Sequence, residues 1–232
     1  MIFLCLSGFS QLAVADCVVL LHGLARTASA MQLLEGRLRD AGFTVANIDY
    51  PSTKKSVEEL ATLAINKGVA ECPGEGAIHF VTHSMGGILV RYYMKYNRLD
   101  RLGRVVMLAP PNQGSEVVDY LGAMPGFGLL NGPAGFQLGT GDDSLPRSLG
   151  PVNFEVGIIA GSATFNPFLS QSLPNPDDGK VSVESTKVKG MKDFIVVPHS
   201  HTFIMRAEVV VEQTIHFLRE GSFDHAEFDR IM

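Results

Sequence analysis

Short apolar runs alternate with amphipathic stretches along most of this chain, and they can be laid out in order. Cys17 to Leu21 is a continuous apolar run of strand length that ends in His22-Gly23-Leu24. Ala28 to Ala41 reads as an amphipathic helix, with Met31, Leu34 and Leu38 on one face and Gly42 as its stop. Phe43 to Ile48 is a second strand. Ser56 and Glu59 then form a capping box ahead of a helix that carries Leu60, Leu63 and Ala64. Ala77 to Thr82 is a third, buried strand, and the residues from Met85 to Asn97 lack proline and read as a buried helix. Arg104 to Ala109, closed by Pro110-Pro111, Phe154 to Ala160 and Phe194 to Val197 continue the strands, and a final helix carries Val211, Ile215 and Leu218. Strand followed by helix, repeated, predicts an α/β fold: a mainly parallel six-stranded sheet with helices on both faces.

The rhythm breaks between Pro111 and Pro151. That stretch is dense in glycine yet carries Phe127, Leu129, Leu130, Phe136 and Leu138. Insertions of this length are commonly functional or disordered. Residues 111–151 are therefore expected to be a minimal, loop-like lid or wall over a site, the alternative being a plain structural loop. Their apolar side chains predict transient contact with a lipid interface.

Composition narrows the reading. With 232 residues, 46% of them hydrophobic, the chain can bury one sizeable core, and residues 16–232 are expected to form a single domain. A formal net charge of −5 argues against nucleic acid as a partner. The first fifteen residues carry no charged side chain and end in Ala13-Val14-Ala15. A short apolar region before a small-x-small site predicts a signal peptide over residues 1–15 and export to the periplasm or the medium; an N-terminal strand is the alternative. Removing it leaves Cys17 and Cys72 as an even pair. They precede or open two strands that, as parallel neighbours, would bring them to the same end of the sheet. That placement makes a disulfide sterically feasible, and it is the expectation, against the alternative of two buried thiols.

Chemistry concentrates at Thr82-His83-Ser84-Met85-Gly86-Gly87. A strand that turns abruptly into a helix at a serine between small residues pushes the hydroxyl out above the sheet. The first helical N–H groups then lie beside it, ready to stabilise an oxyanion. The usual pattern is G-x-S-x-G, and Thr82 stands where the first glycine belongs. The alternative is a serine that merely caps a buried helix. No H-E-x-x-H and no paired C-x-x-C occurs, so the expectation is a site without cofactor or catalytic metal.

Four segments together resemble a compact bacterial α/β-hydrolase of the lipase and carboxylesterase type: Leu21-His22-Gly23-Leu24, the His83-Ser84-Met85-Gly86-Gly87 elbow, Ala109-Pro110-Pro111-Asn112-Gln113-Gly114-Ser115, and Asp178-Gly179-Lys180-Val181. A late histidine before the last helix completes the order. The resemblance implies hydrolysis of carboxylic esters, of lipid-like or apolar acyl groups, by a Ser, Asp, His triad. Ser84 would be the nucleophile. Of seven histidines, His199 and His201 lie on the loop before the last helix, and His201 is preferred. His22 is expected to organise the oxyanion loop, and His83 to point away from the nucleophile. Asp178, with Asp177 as the alternative, would orient the imidazole, and the N–H groups of Leu24 and Met85 would form the oxyanion hole. Some relatives hold a structural calcium, which the acidic loop leaves open. An acyltransferase would use the same triad to acylate another alcohol. A non-catalytic binding protein of this fold would lack a triad member, and here all three positions are filled.

Overall fold

The computed structural model describes residues 15–164 and 170–231. Six strands form one parallel sheet: β1 (Cys17–Leu21), β2 (Thr44–Ile48), β3 (Ile78–His83), β4 (Leu102–Leu108), β5 (Val156–Gly161) and β6 (Asp193–Val197). Their order across the sheet is β2-β1-β3-β4-β5-β6. The chain starts beside the middle, winds to one edge, then reverses at β3 and runs to the other. In open α/β sheets, ligands bind outside the carboxyl ends of the strands at such a reversal.

Side chains alternate between the two faces of the sheet. Val19 and Leu21 of β1, Phe80 of β3 and Met107 of β4 join one apolar cluster with Leu60, Ala64, Ile88 and Leu89. Those last four belong to helices α2 (Val57–Ala70) and α3 (Met85–Tyr96). Val18, Leu20, Val81 and Val106 face the other way and pack with Leu34, Leu38, Val211 and Phe217. The latter sit on α1 (Gln32–Asp40), which continues a short 3-10 turn at Ala28–Met31, and on the long C-terminal helix Glu208–Glu220. Helices thus cover both faces. The capping box read at Ser56 is present, with the Ser56 hydroxyl accepting from the Glu59 N–H and the Glu59 carboxylate accepting from the Ser56 N–H.

The insertion is more ordered than its glycine content suggests. It forms three short helices, α4 (Glu116–Gly122), α5 (Phe127–Phe136, broken at Gly132 ahead of Pro133) and α6 (Leu145–Ser148). The loop expected there is therefore a helical wall, because its apolar residues find a surface to cover. Val117, Phe127, Ala134 and Leu138 are buried, while Leu129, Leu130 and Phe136 face solvent. Its two ends are tied to α3 by one buried guanidinium. Arg91 donates to the Asn112 carbonyl (2.9 Å), the Asn112 side-chain oxygen (3.1 Å) and the Gly150 carbonyl (2.7 Å). It pairs with no carboxylate among the described residues, and burial pushes its pKa down to about 10. A short helix α7 (Val183–Thr186) precedes β6. The helix carrying Val211, Ile215 and Leu218 is α8 (Glu208–Glu220), and it is followed by one more, α9 (His225–Ile231), which the sequence pattern did not single out.

Residues 1–14 lie outside the described part of the chain, and with them nearly all of the expected signal peptide. No described helix is long and apolar enough to cross a membrane. Cys17 and Cys72 are joined in a disulfide, buried at the amino end of β1, with Cα atoms 5.7 Å apart. The bond closes a loop of sequence separation 55. On the chain-entropy estimate this is worth about 4 kcal/mol, or roughly 8–16 °C in a domain of this size. Thermal melts with and without reductant are expected to differ by that amount, and the Cys17→Ser/Cys72→Ser variant to melt like the reduced protein. Coincident melts would mean that the bond contributes nothing.

Candidate active site

The candidate site gathers at the carboxyl ends of β1, β3, β5 and β6. β3 stops at His83, and Ser84 adopts φ 53°, ψ −123° before α3 begins at Met85. A positive φ at a non-glycine residue is strained by about 1–3 kcal/mol. The turn survives because its neighbours hold it: the Ser84 N–H donates to the Leu108 carbonyl (2.9 Å), and the Ser84 carbonyl accepts from Gly87 (3.0 Å).

Close packing around this turn explains the glycines and the odd threonine. A Cβ on Gly86 would lie 2.6 Å from the Leu21 carbonyl oxygen, so the start of α3 could not reach the sheet with any side chain there. A Cβ on Gly87 would lie 3.3 Å from the Thr82 hydroxyl oxygen. The second glycine therefore supplies the room that the first position of the usual pattern provides, and Thr82 fits.

Three side chains then form one hydrogen-bonded line. His201 Nδ1–H donates to Asp178 Oδ2 at 2.8 Å, which leaves Nε2 to accept from the Ser84 hydroxyl at 2.9 Å. All three residues are buried. The second oxygen of Asp178 accepts from the N–H groups of Lys180 (3.0 Å) and Val181 (2.8 Å), and its carbonyl accepts from the His201 N–H (3.0 Å). Asp177 turns the other way: its carboxylate accepts from the Gly179 N–H (2.7 Å) and from the Ser170 hydroxyl (2.6 Å), folding its own loop. It is the ring of His201, and not that of His199, that meets Ser84.

The histidines beside this line have distinct work. His22 Nδ1–H donates to the Gly23 carbonyl (2.8 Å), its ring stacks on Tyr50 with centroids 4.0 Å apart, and the Tyr50 hydroxyl donates to the His22 carbonyl. The loop carrying Leu24 is thereby held against Ser84. A Cβ on Gly23 would come within 3.1 Å of Ser84 Cβ, so the approach itself requires glycine. His83 does not simply point away. Its Nε2–H donates to the His201 carbonyl at 2.9 Å, so it supports the loop that presents the imidazole. Sequence reading missed this bond, which joins residues 118 positions apart and has no local signal.

The Leu24 N–H makes no hydrogen bond among the described residues. Met85 opens α3, so its N–H has no partner a turn earlier within the helix. Both line or flank a cavity of about 160 Å³ that also contains Ser84 and His201. Leu24, Val117, Val118, Leu121, Phe127 and Leu138 make its wall apolar, and Arg26 and Lys180 reach its rim. Among the described residues no group of three or more His, Cys, Asp or Glu is arranged to hold a metal ion.

A parallel sheet with a serine at this turn, an imidazole and a carboxylate in line, defines the class of the α/β hydrolases. The sequence agrees: residues 18–212 match the alpha/beta hydrolase family, and the chain belongs to it. No curated protein sequence matches the chain. Among solved structures it is similar to the mature lipase BlEst2 of Bacillus licheniformis, at 19% identity and TM-score 0.61 over 83% of this chain and 87% of that one. It is also similar to the phospholipase PlaB of Legionella pneumophila, at 18% identity and TM-score 0.69, covering 94% of this chain but 63% of that one. The lipase of Staphylococcus hyicus is a third, at 13% identity and TM-score 0.57 over 82% and 88%. At such identities the likeness is one of fold.

Burial also gives the fold a pH signature. His83 is held well below the ordinary histidine range, first by loss of solvent and then by the neighbouring His201; His22 and His79 are lowered mainly by burial. Each takes up a proton in the unfolded chain near pH 6.5 but resists doing so when folded. The unfolded state therefore binds more protons as pH falls through 6.5, and stability drops, by up to about 1.4 kcal/mol per pH unit for each group. Urea midpoints are expected to decline from pH 7.5 to 5.5, well above the range of the carboxylates, and less steeply in His83→Gln. A flat profile over that window would contradict the buried, neutral assignment.

Proposed function

We propose that this protein is a serine hydrolase that cleaves carboxylic esters of apolar acyl groups. The observation that carries the reading is the line from Ser84 through His201 to Asp178, with both gaps below 3 Å. A serine hydroxyl is a poor nucleophile until an adjacent base takes its proton. His201 removes that proton through Nε2 as Ser84 attacks the ester carbonyl. Asp178 keeps the other ring nitrogen protonated and balances the imidazolium that forms. The N–H groups of Leu24 and Met85 hold the tetrahedral oxyanion, a contribution worth about 10²–10³ in rate for each donor. His201 then passes its proton to the departing alcohol, and water activated by the same ring releases the acyl group from Ser84. The expected disulfide compartment and the apolar amino terminus support export, to the periplasm or the medium.

The cavity sets the size of the acyl group. A void of about 150 Å³ lined by aliphatic side chains holds a benzene molecule. The cavity beside Ser84, at about 160 Å³, therefore matches an acyl chain of roughly four to six carbons. Initial rates on p-nitrophenyl esters are expected to peak in that range and to fall for long chains, and Ser84→Ala is expected to lose at least about 10³-fold in kcat. Equal activity in the wild type and Ser84→Ala would remove Ser84 from the mechanism. An optimum at long acyl chains would show that the wall opens.

A further inference from the structure

The rim of the cavity carries charge that the hydrolysis of a neutral ester does not use. Arg26 stands two residues beyond Leu24, and Lys180 two residues beyond Asp178, and both line the cavity that holds the Ser84 hydroxyl. Neither side chain forms an ion pair or a side-chain hydrogen bond among the described residues, whereas Arg37, Arg39, Arg104, Arg147 and Lys192 each pair with a carboxylate. Loss of solvent and the Arg26 charge hold the Lys180 ammonium below the usual lysine range, against the opposing pull of Asp178, and both cations add to the field that keeps His83 neutral. Asp178, whose charge acts on Lys180, is committed to His201 and to two backbone N–H groups. The groove that continues outward from Arg26 adds Lys54 and Arg206, against Asp49, one oxygen of which accepts from the Ala28 N–H. This concentration of positive charge sits on a chain whose net charge is −5.

Two like charges at one pocket mouth, neither of them ion-paired or hydrogen-bonded through its side chain among the described residues, repel each other, and an anion placed between them relieves that repulsion. The apolar wall takes the acyl chain, so the cations face the part of the substrate that leaves toward solvent. We infer that the site selects esters whose alcohol carries an anionic group, a phosphate or a carboxylate, gripped by Arg26 and Lys180. This rests on the ester-hydrolase reading above, and it adds the alcohol side that the acyl cavity leaves open. A guanidinium and an ammonium recognise phosphate and carboxylate oxygens through the same charge-assisted hydrogen bonds, so the two anions must be separated by experiment.

The test uses soluble esters that share one acyl group: 1-butyrylglycerol, 1-butyrylglycerol 3-phosphate and O-butyrylglycerate. The expected result is a kcat/KM at least about tenfold higher for an anionic ester than for the neutral one at low salt, and a ratio that shrinks in 0.5 M NaCl, where the screening length falls to about 4 Å. In Arg26→Gln/Lys180→Gln the ratio of anionic to neutral kcat/KM is expected to fall toward one. The relative rates of the phosphate and carboxylate esters say which anion fits better. A wild-type ratio near one, or a preference that survives the double substitution, overturns the inference and leaves the ester-hydrolase reading standing. Should no ester be turned over, that reading fails separately, and glycerol 3-phosphate titrated into the wild type and the double variant by NMR still decides this one. Saturable binding lost in the variant supports the anion site, and absent or unchanged binding rejects it.

Discussion

The site depends on a backbone turn that an ordinary residue resists. Ser84 sits at φ 53° between a strand and a helix, and nothing in its own side chain favours that conformation. The surrounding structure imposes it. β3 is hydrogen-bonded on both sides, to β1 and β4, so its end cannot relax sideways. The helix that follows is pressed against the β1 end at Gly86, within reach of the Leu21 carbonyl. Strain stored here is repaid by position: the hydroxyl is lifted off the sheet, while the first N–H of α3 stays beside it.

The partners of Ser84 are fixed by bonds outside the line they form with it. Asp178 is held through both carboxylate oxygens and its carbonyl, and the His201 backbone is held by Asp178 on one side and His83 on the other. Each loop therefore arrives already shaped, so little ordering remains to be done when a substrate binds. The same burial that shapes the loops keeps His83 neutral, so one imidazole beside His201 serves as a hydrogen-bond donor without adding a second positive charge. Positive charge is placed instead at the rim, on Arg26 and Lys180, where it can meet a ligand.

The helical wall shows how far local pattern carries. Glycine and proline between residues 111 and 151 read as loop, and in isolation helices this short would not persist. They persist here because Arg91 ties both ends to α3, and Gln137 accepts from the Val57 N–H at the start of α2. Those bonds span from 21 to 80 residues, and no window of sequence contains them.

Much of the fold was legible in the chain. All six strands lie within two residues of their apolar runs, because parallel strands covered by helices on both faces are mostly apolar, and that leaves a readable run. The elbow was legible for a similar reason, since a turn this tight tolerates only small residues, and the glycines mark it. Cys17 and Cys72 could be paired because parallel neighbours bring strand starts together. What only the tertiary structure decided were choices between near neighbours. Asp178 and Asp177 are chemically alike and adjacent, as are His199 and His201 within one loop, and side-chain direction after a turn is set by distant packing. Thr82 became intelligible only beside Gly87, and the pocket-mouth placement of Arg26 and Lys180 only once the loops after β1 and β5 had met. Sequence records what each residue can do; which of them meet is settled by contacts between segments far apart in the chain.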